Sequence, residues 1–294
     1  LSVVMAVFNG GTELQRTLDS IYAQTERDFE LIVVDDGSTD ETPAILARQS
    51  DPRIRVITQS NAGLTRALIR GCEAARAPVI ARHDNSDISL PNRFARQLAA
   101  LDDPGVVLVS CASRWVGPQD ELLFIARADG DEIRESLLHA KIGSIRALTA
   151  HGNAMFRRDA YESAGGYRDA FRYAQDVDLW IRMAALGRIV VLPDVLYEAH
   201  FGVGAISASK RREQFALAAI SIAIRDGGSA EELLERARTI GAKPRPASRR
   251  HAADALYFVG SCLRRNGDMR YKKYARAAIR RHPFHLRAWL LLMR

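Results

Sequence analysis

The chain has 294 residues, 47% of them hydrophobic, enough to bury a substantial core in one large domain with or without a small companion. Apolar stretches such as Ala216 to Ile224 are far too short to span a bilayer, and no run of eighteen apolar residues occurs, so no membrane-crossing helix is expected. The net charge of +7 is unevenly held, residues 1–204 carrying 22 Lys/Arg against 28 Asp/Glu and residues 205–294 carrying 20 against 7.

A basic end behind an acidic body is either a solvated arginine-rich helical face or a contact for a membrane surface or polyanion. Cys72, Cys111 and Cys262 lie far apart, without metal-ligand spacing and odd in number, so a disulfide framework is not expected and a reducing cytoplasm fits best. The first segment, Ser2 to Phe8, reads directly as a strand with no basic leader and cleavage site, and export is not expected.

From that strand onward, short apolar runs alternate with helical periodicity, the pattern of a parallel sheet covered by helices. Leu14, Leu18, Ile21 and Tyr22 mark one helix face, and Phe29 to Val34 is a second strand. The next helix is expected to start after Asp36-Gly37-Ser38-Thr39-Asp40, with Ser38 or Thr39 as cap and Pro43 in its first turn. Arg55 to Thr58, Pro78 to Ala81 and Val106 to Ser110 supply further strands, separated by helices near Thr65 to Ala75 and Asn92 to Leu101, which makes a doubly wound α/β sheet. Val116 to Asp120 reads as a hairpin turn, Glu132 to His139 as a helix, Ala154 to Arg157 as a strand, Asp176 to Leu186 as a helix and Arg188 to Leu192 as a strand. Only helices are expected after about Lys210, and Ala255 to Pro283 approximates one tetratricopeptide unit, expected to pack as a helical cap or to dock a protein.

Ligands of an open parallel sheet sit outside the carboxyl ends of its strands. Those positions hold Val7-Phe8-Asn9-Gly10, Asp35-Asp36-Gly37-Ser38 and Asp84-Asn85-Ser86-Asp87. Neither a Gly-x-Gly-x-x-Gly fingerprint nor a phosphate-loop lysine is present, which argues against a dinucleotide enzyme or an NTPase. Carboxylates there repel bare phosphates unless they hold a divalent cation or contact neutral parts of the ligand, and a nucleotide sugar meets both conditions.

The stretches Ser2 to Asn9, Thr17 to Ile21 with Gln24-Thr25, Asp28 to Asp40, Asn61-Ala62-Gly63-Leu64, Ile80 to Asp84, Gln175-Asp176-Val177-Asp178-Leu179-Trp180 and Ser207 together resemble family 2 glycosyltransferases over residues 1–210. The resemblance implies a GT-A fold over residues 1–208, a basic helical region over 209–294, inverting transfer from a UDP- or dTDP-linked sugar, and Mg²⁺ or Mn²⁺. It places Phe8 beside the base, flanked by Val7 and Asn9, and Asp36 on the base's imide nitrogen. Asn61 and Arg66 are further donor contacts, and Asp84 reaches the ribose or metal. Where relatives carry a metal-binding aspartate this chain has Ser86, so Asp87 or His200 would have to make up the ligand set. Asp176 occupies the position of the general base, with Gln175 in place of the usual glutamate, and its alternative role is a helix-terminal carboxylate, which Asp178 could fill as well. His151, Gly166 and Trp180 fall on the acceptor side, and His83 is expected only to support the donor motif.

No Gln-x-x-Arg-Trp block of processive synthases is present, so addition of single sugars to a glycan or lipid-linked acceptor in surface-glycan synthesis is expected. The basic end is a candidate for contact with anionic lipid at the inner face of the cell membrane. Nucleic-acid binding is not expected, because zinc and helix-turn-helix signatures and aromatic interleaving are lacking. Ser86 and Gln175 also motivate the alternative of a degenerate, non-catalytic nucleotide binder.

Overall fold

The computed structural model describes residues 1–141, 143–202, 210–242 and 248–293, so Ser207 lies outside the described residues. Its first part alternates as the sequence predicts: β1 (Ser2–Val7), α1 (Glu13–Tyr22), β2 (Glu30–Asp35), α2 (Thr42–Ala47), β3 (Ile54–Thr58), α3 (Leu64–Ala74) and β4 (Val79–Asp84). β1 pairs in parallel with both β2 and β4, and β2 with β3. These strands are apolar on both faces because helices cover both. Leu14, Leu18 and Ile21 of α1 pack on one side, Ala67 and Leu68 of α3 on the other. α3 comes so close that a Cβ on Gly71 would lie 2.5 Å from Val4 Cγ1.

Beyond β4 the sheet is mixed rather than uniformly parallel. β5 (Ile88–Ser89), α4 (Arg93–Ala100), β6 (Val106–Val116), β7 (Leu122–Ala126), α5 (Gly130–His139), β8 (Met155–Arg157), α6 (Arg158–Ser163), α7 (Gln175–Ala184) and β9 (Arg188–His200) follow. The strand order is β3-β2-β1-β4-β8-β6-β9-β5, with β7 paired to β6. The short β8 is thus wedged antiparallel between β4 and β6, which separates two strands the sequence reading had in one parallel set. β9 runs far past Leu192, beside β6, and ends where β5 pairs with Tyr197 and Glu198.

α2 begins at Thr42, not after Ser38 or Thr39. Ser38 Oγ instead accepts the Asn9 N–H at 2.9 Å, and Asp40 accepts those of Thr42 and Gly11 at 3.0 Å each. Ser38 is thus spent on joining two loops, and Asp40, rather than Ser38 or Thr39, meets the first N–H of α2.

Among the described residues five helices follow: α8 (Arg211–Arg225), α9 (Ala230–Thr239), α10 (Arg249–Arg265), α11 (Tyr271–Arg281) and α12 (Leu286–Met293). Leu217 and Ile220 of α8 and Ala237 of α9 bury Phe171 and Ala174, the loop that leads into α7. α10 lies on the β6–β7 hairpin through Val259 and Leu263 against Leu123 and Phe201, and Asn266 donates to the carbonyls of Leu122 and Leu123. Gly260 admits Leu291 and Tyr274 at close range, so α10, α11 and α12 form one packed unit against the sheet edge. No helix among the described residues is long and apolar enough to cross a membrane.

Candidate functional site

The parallel strands deliver three loops to one edge of the sheet. Four non-glycine residues among those described have a left-handed backbone: Asn9 (φ 51°), Ser86 (φ 73°), Asp120 (φ 56°) and Ala174 (φ 54°). All sit in loops at this edge, and such strain is commonly found where side chains must be held for function.

On the donor side, Phe8 is half exposed (52%) at the end of β1. The side chain of Val7 is not available to a ligand, since it is buried in the core and only its carbonyl reaches the loop, accepting from Asp36 N at 2.8 Å. Asn9 is also a loop fastener, its Oδ1 accepting from Thr39 N at 2.8 Å. Asp35 makes the turn by accepting from Ser38 N at 3.0 Å. Asp36 is buried and tied to the loop before α3: Oδ1 accepts from Gln59 Nε2 at 2.7 Å and Ala62 N at 2.8 Å, and Oδ2 from Gly63 N at 2.8 Å. One lone pair of Oδ2 is left over for a further donor. Asn61 is exposed beside it, close to Gly37, where a Cβ would come 2.8 Å from Asn61 N. Arg66 is exposed and reaches Asp169 at 3.6 Å, an open pair worth little by itself.

Asp84 ends β4 and is gripped by Arg82, whose guanidinium is buried in the sheet and lies 2.6 Å from Oδ1. Burial works against ionisation of Asp84, but Arg82 and His151 outweigh it and hold the carboxyl below the usual range. Arg93, also fully buried, donates to the Arg82 carbonyl at 2.8 Å and to Ser89 and Gln97. His83 is buried beside Tyr197, its Nδ1 2.8 Å from the Asp84 carbonyl, and desolvation with Arg93 nearby pushes it down to about 3, so it stays neutral.

Across the hollow stands His151. Its Nε2 is 2.8 Å from the Tyr167 hydroxyl and its ring meets Trp180 edge-on at 6.1 Å. Desolvation and then Arg82 lower its pKa, opposed by Asp176 and Asp84, so the imidazole lies within electrostatic reach of both carboxylates. The backbone next to it abuts Asp84 directly, since a Cβ on Gly152 would lie 2.1 Å from Tyr197 Oη and 2.9 Å from Asp84 Oδ2. Asp84 and Asp176 thus both lie in the neighbourhood of His151, with Gly166 (φ 63°) allowing the turn that seats Tyr167. Trp180 is not an exposed acceptor platform: it is 2% exposed, four residues along α7 from Asp176 and turned toward the sheet, where it supports His151 and Phe156.

Asp176 and Asp178, two positions apart on α7, have different surroundings. Asp178 is buried between Arg168 at 3.3 Å and Arg182 at 2.6 Å, a structural pair. Asp176, partly exposed in the first turn of α7, accepts no hydrogen bond from any described residue and so keeps its oxygens available.

The ligand set proposed for a metal does not assemble. Both oxygens of Asp87 are engaged, by Tyr197 Oη at 2.8 Å and His200 N at 2.9 Å, and burial with Asp84 nearby raises its pKa well above normal. His200 points away to Asp120 at 3.1 Å and Glu198 at 3.6 Å. Asp120, Glu198 and His200 do form a candidate metal-coordinating cluster, with ligand atoms within 4.8 Å of one another. Arg16 already pairs with both carboxylates, and Arg114 with Glu198, so their charge is met by two guanidiniums. With Ser86 bringing no charge, the residues around Asp84 do not fit a hard divalent ion.

Sequence reasoning missed Arg82, Arg93, Tyr197, Gly152 and Arg16. Arg82 inside an apolar strand was a readable signal, because a cation there must find a partner. Tyr197 and Arg16 depend on contacts more than a hundred residues apart, as between Tyr197 and Asp87, and Arg93 and Gly152 on how neighbouring segments pack.

A mixed sheet that gathers carboxylates at the carboxyl edge of its parallel strands, faced by an aspartate from a later helix, defines a GT-A-type fold of the kind that handles sugar nucleotides. The model for glycosyl transferase family 2 matches residues 2–165, and the chain belongs to that family. The amylovoran biosynthesis glycosyltransferase AmsE of Erwinia amylovora is 31% identical over 220 residues, 72% of this chain and 79% of its own length. An uncharacterised glycosyltransferase of Rickettsia prowazekii is 25% identical over 201 residues, which cover 68% of this chain and 63% of that protein. Among solved structures, a mannosyltransferase of Pyrobaculum calidifontis in complex with GDP-Man and Mn²⁺ superimposes with a TM-score of 0.60 at 22% identity, covering 99% of this chain and 83% of the other. That likeness is one of fold.

Proposed function

We propose that the protein is an inverting glycosyltransferase that moves one sugar from a UDP- or dTDP-linked donor to a hydroxyl acceptor. The observation that carries the reading is that Asp84, at the carboxyl end of β4, abuts the Gly152 backbone beside His151, which itself packs on Trp180 of the helix that opens with Asp176. The base lies by Phe8 and the Asp36 loop, where the remaining lone pair of Asp36 accepts from the imide N–H. Asp84 receives the ribose hydroxyls. Asp176, unencumbered by hydrogen bonds, takes the acceptor proton as the hydroxyl attacks the anomeric carbon through an oxocarbenium-like state. His151, its Nε2 2.8 Å from the Tyr167 hydroxyl, orients the acceptor side.

Assembly of a surface glycan in the cytoplasm is the setting that fits, in keeping with what AmsE is named for. A non-catalytic nucleotide binder is the second reading, favoured by the left-handed Ser86 where a carboxylate is usual. A donor panel of UDP-, dTDP- and GDP-linked sugars separates the two. Slow donor hydrolysis that disappears in Asp176→Asn supports the transferase, whereas tight nucleotide binding without turnover of any donor supports the binder.

A further inference from the structure

A groove of about 2190 Å³ opens among the helices that follow the sheet, lined by residues from α8 to α12. Seven Lys/Arg and three His line it against three Asp/Glu. Two of those acids are already used, Glu235 by Arg238 and Asp254 by His285. Arg211, Arg212, Arg250, Arg265 and Arg287 face the groove exposed, and none has a carboxylate partner among the described residues. Five uncompensated guanidiniums around one concavity are costly to keep together unless an anion enters. The fold also brings Tyr257, Phe258 and Phe284 to the same groove, so apolar ring faces alternate with cations there although the sequence shows no such spacing.

The groove abuts the acceptor side of the site. Arg238, in its lining, reaches Asp169, which also pairs with Arg66. Gly241, another lining residue, turns with φ 74° so close to Tyr173 that a Cβ would lie 2.7 Å from the ring. Residues 169–173 lead straight into Ala174 and the first turn of α7, where Asp176 stands.

We propose that this groove binds an acidic glycan chain, a carboxylate- or phosphate-bearing polysaccharide whose end enters the hollow as acceptor. The inference rests on the transferase reading for the direction in which the chain runs. Arginine forks take the anionic groups, and the aromatic faces take the apolar faces of sugar rings. A concave cleft suits a strand of polymer, whereas a planar head-group surface cannot enter it.

The full chain is titrated with polygalacturonate, a carboxylate polymer, and with neutral dextran, alongside phosphatidylglycerol vesicles and a single-stranded oligonucleotide. The expected result is saturable, salt-sensitive binding of polygalacturonate alone. In the triple variant Arg250→Ala, Arg265→Ala, Arg287→Ala it weakens by about tenfold, while UDP binding and the melting temperature are unchanged. The corresponding triple lysine variant, which keeps the charge, should retain most of the affinity and guards against misfolding as the cause. Equal polygalacturonate binding in the alanine variant overturns the proposal, as does preference for vesicles (a membrane surface) or equal binding of the oligonucleotide (unspecific polyanion contact). If polygalacturonate binds as expected but no nucleotide sugar does, the groove stands and the transferase reading falls.

Discussion

Two aspartates two positions apart on α7 have opposite surroundings, and their variants should fail in opposite ways. Asp178 is closed between two arginines, so Asp178→Asn is expected to cost about 3 kcal/mol by leaving buried cations unpaired, read as a lowered denaturation midpoint. Asp176→Asn is expected to leave the midpoint and donor affinity unchanged while reducing transfer by about 10²- to 10⁴-fold, measured with saturating donor and acceptor. The sequence pointed to Asp176 as the base by resemblance, whereas the burial of Asp178 between Arg168 and its helix neighbour Arg182 emerges only in the fold. His83 offers a pH test at the same scale. Its unfolded form takes up a proton near 6.5, the buried one only near 3, so stability that is complete above 6.5 is lost as pH falls between those values. Compared with His83→Asn, the wild type should lose up to about 1.4 kcal/mol more per pH unit across that window in urea titrations.

At the level of elements, the Gly152 backbone is the piece on which the hollow closes. Gly152→Ala drives a methyl group into Tyr197 Oη and Asp84 Oδ2, and is expected to cost about 1–3 kcal/mol together with a clear loss of nucleotide affinity by calorimetry. The loop Asp84 to Asp87 carries a second expectation. Since Asp87 is turned to Tyr197 and His200, EDTA should slow transfer by less than about tenfold; abolition of activity restored by Mn²⁺ would show that the loop rearranges around an ion. The parallel half of the sheet was legible because each strand is a short apolar run closed by a turn signal. The rest was not, for identifiable reasons. β8 has three residues and is paired by distant strands on both sides, so nothing local announces its direction. β9 looked finished at Leu192 because Pro193 and Asp194 read as a break. It continues because the register slips there, Cys111 pairing with Leu192 and Ala112 with Val195, which lets the proline bulge out of the ladder.

For the molecule as a whole, the charge asymmetry noted in the sequence has become a spatial one. The acidic body gathers carboxylates at the edge of a sheet, and the basic end folds into helices that line a separate groove. The linear imbalance did not reveal concavity, because the arginines of α8, α10 and α12 meet only after these helices pack on the β6–β7 hairpin and on the loop before α7. The account stands on the donor hollow, and a crystal structure of the protein soaked with a UDP-sugar tests it most directly. The nucleotide should lie with its base by Phe8 and Asp36, its ribose at Asp84, and its anomeric carbon toward Asp176 and His151. A nucleotide bound on any other surface, or with Asp176 on the far side of the chain from its sugar, would contradict the account.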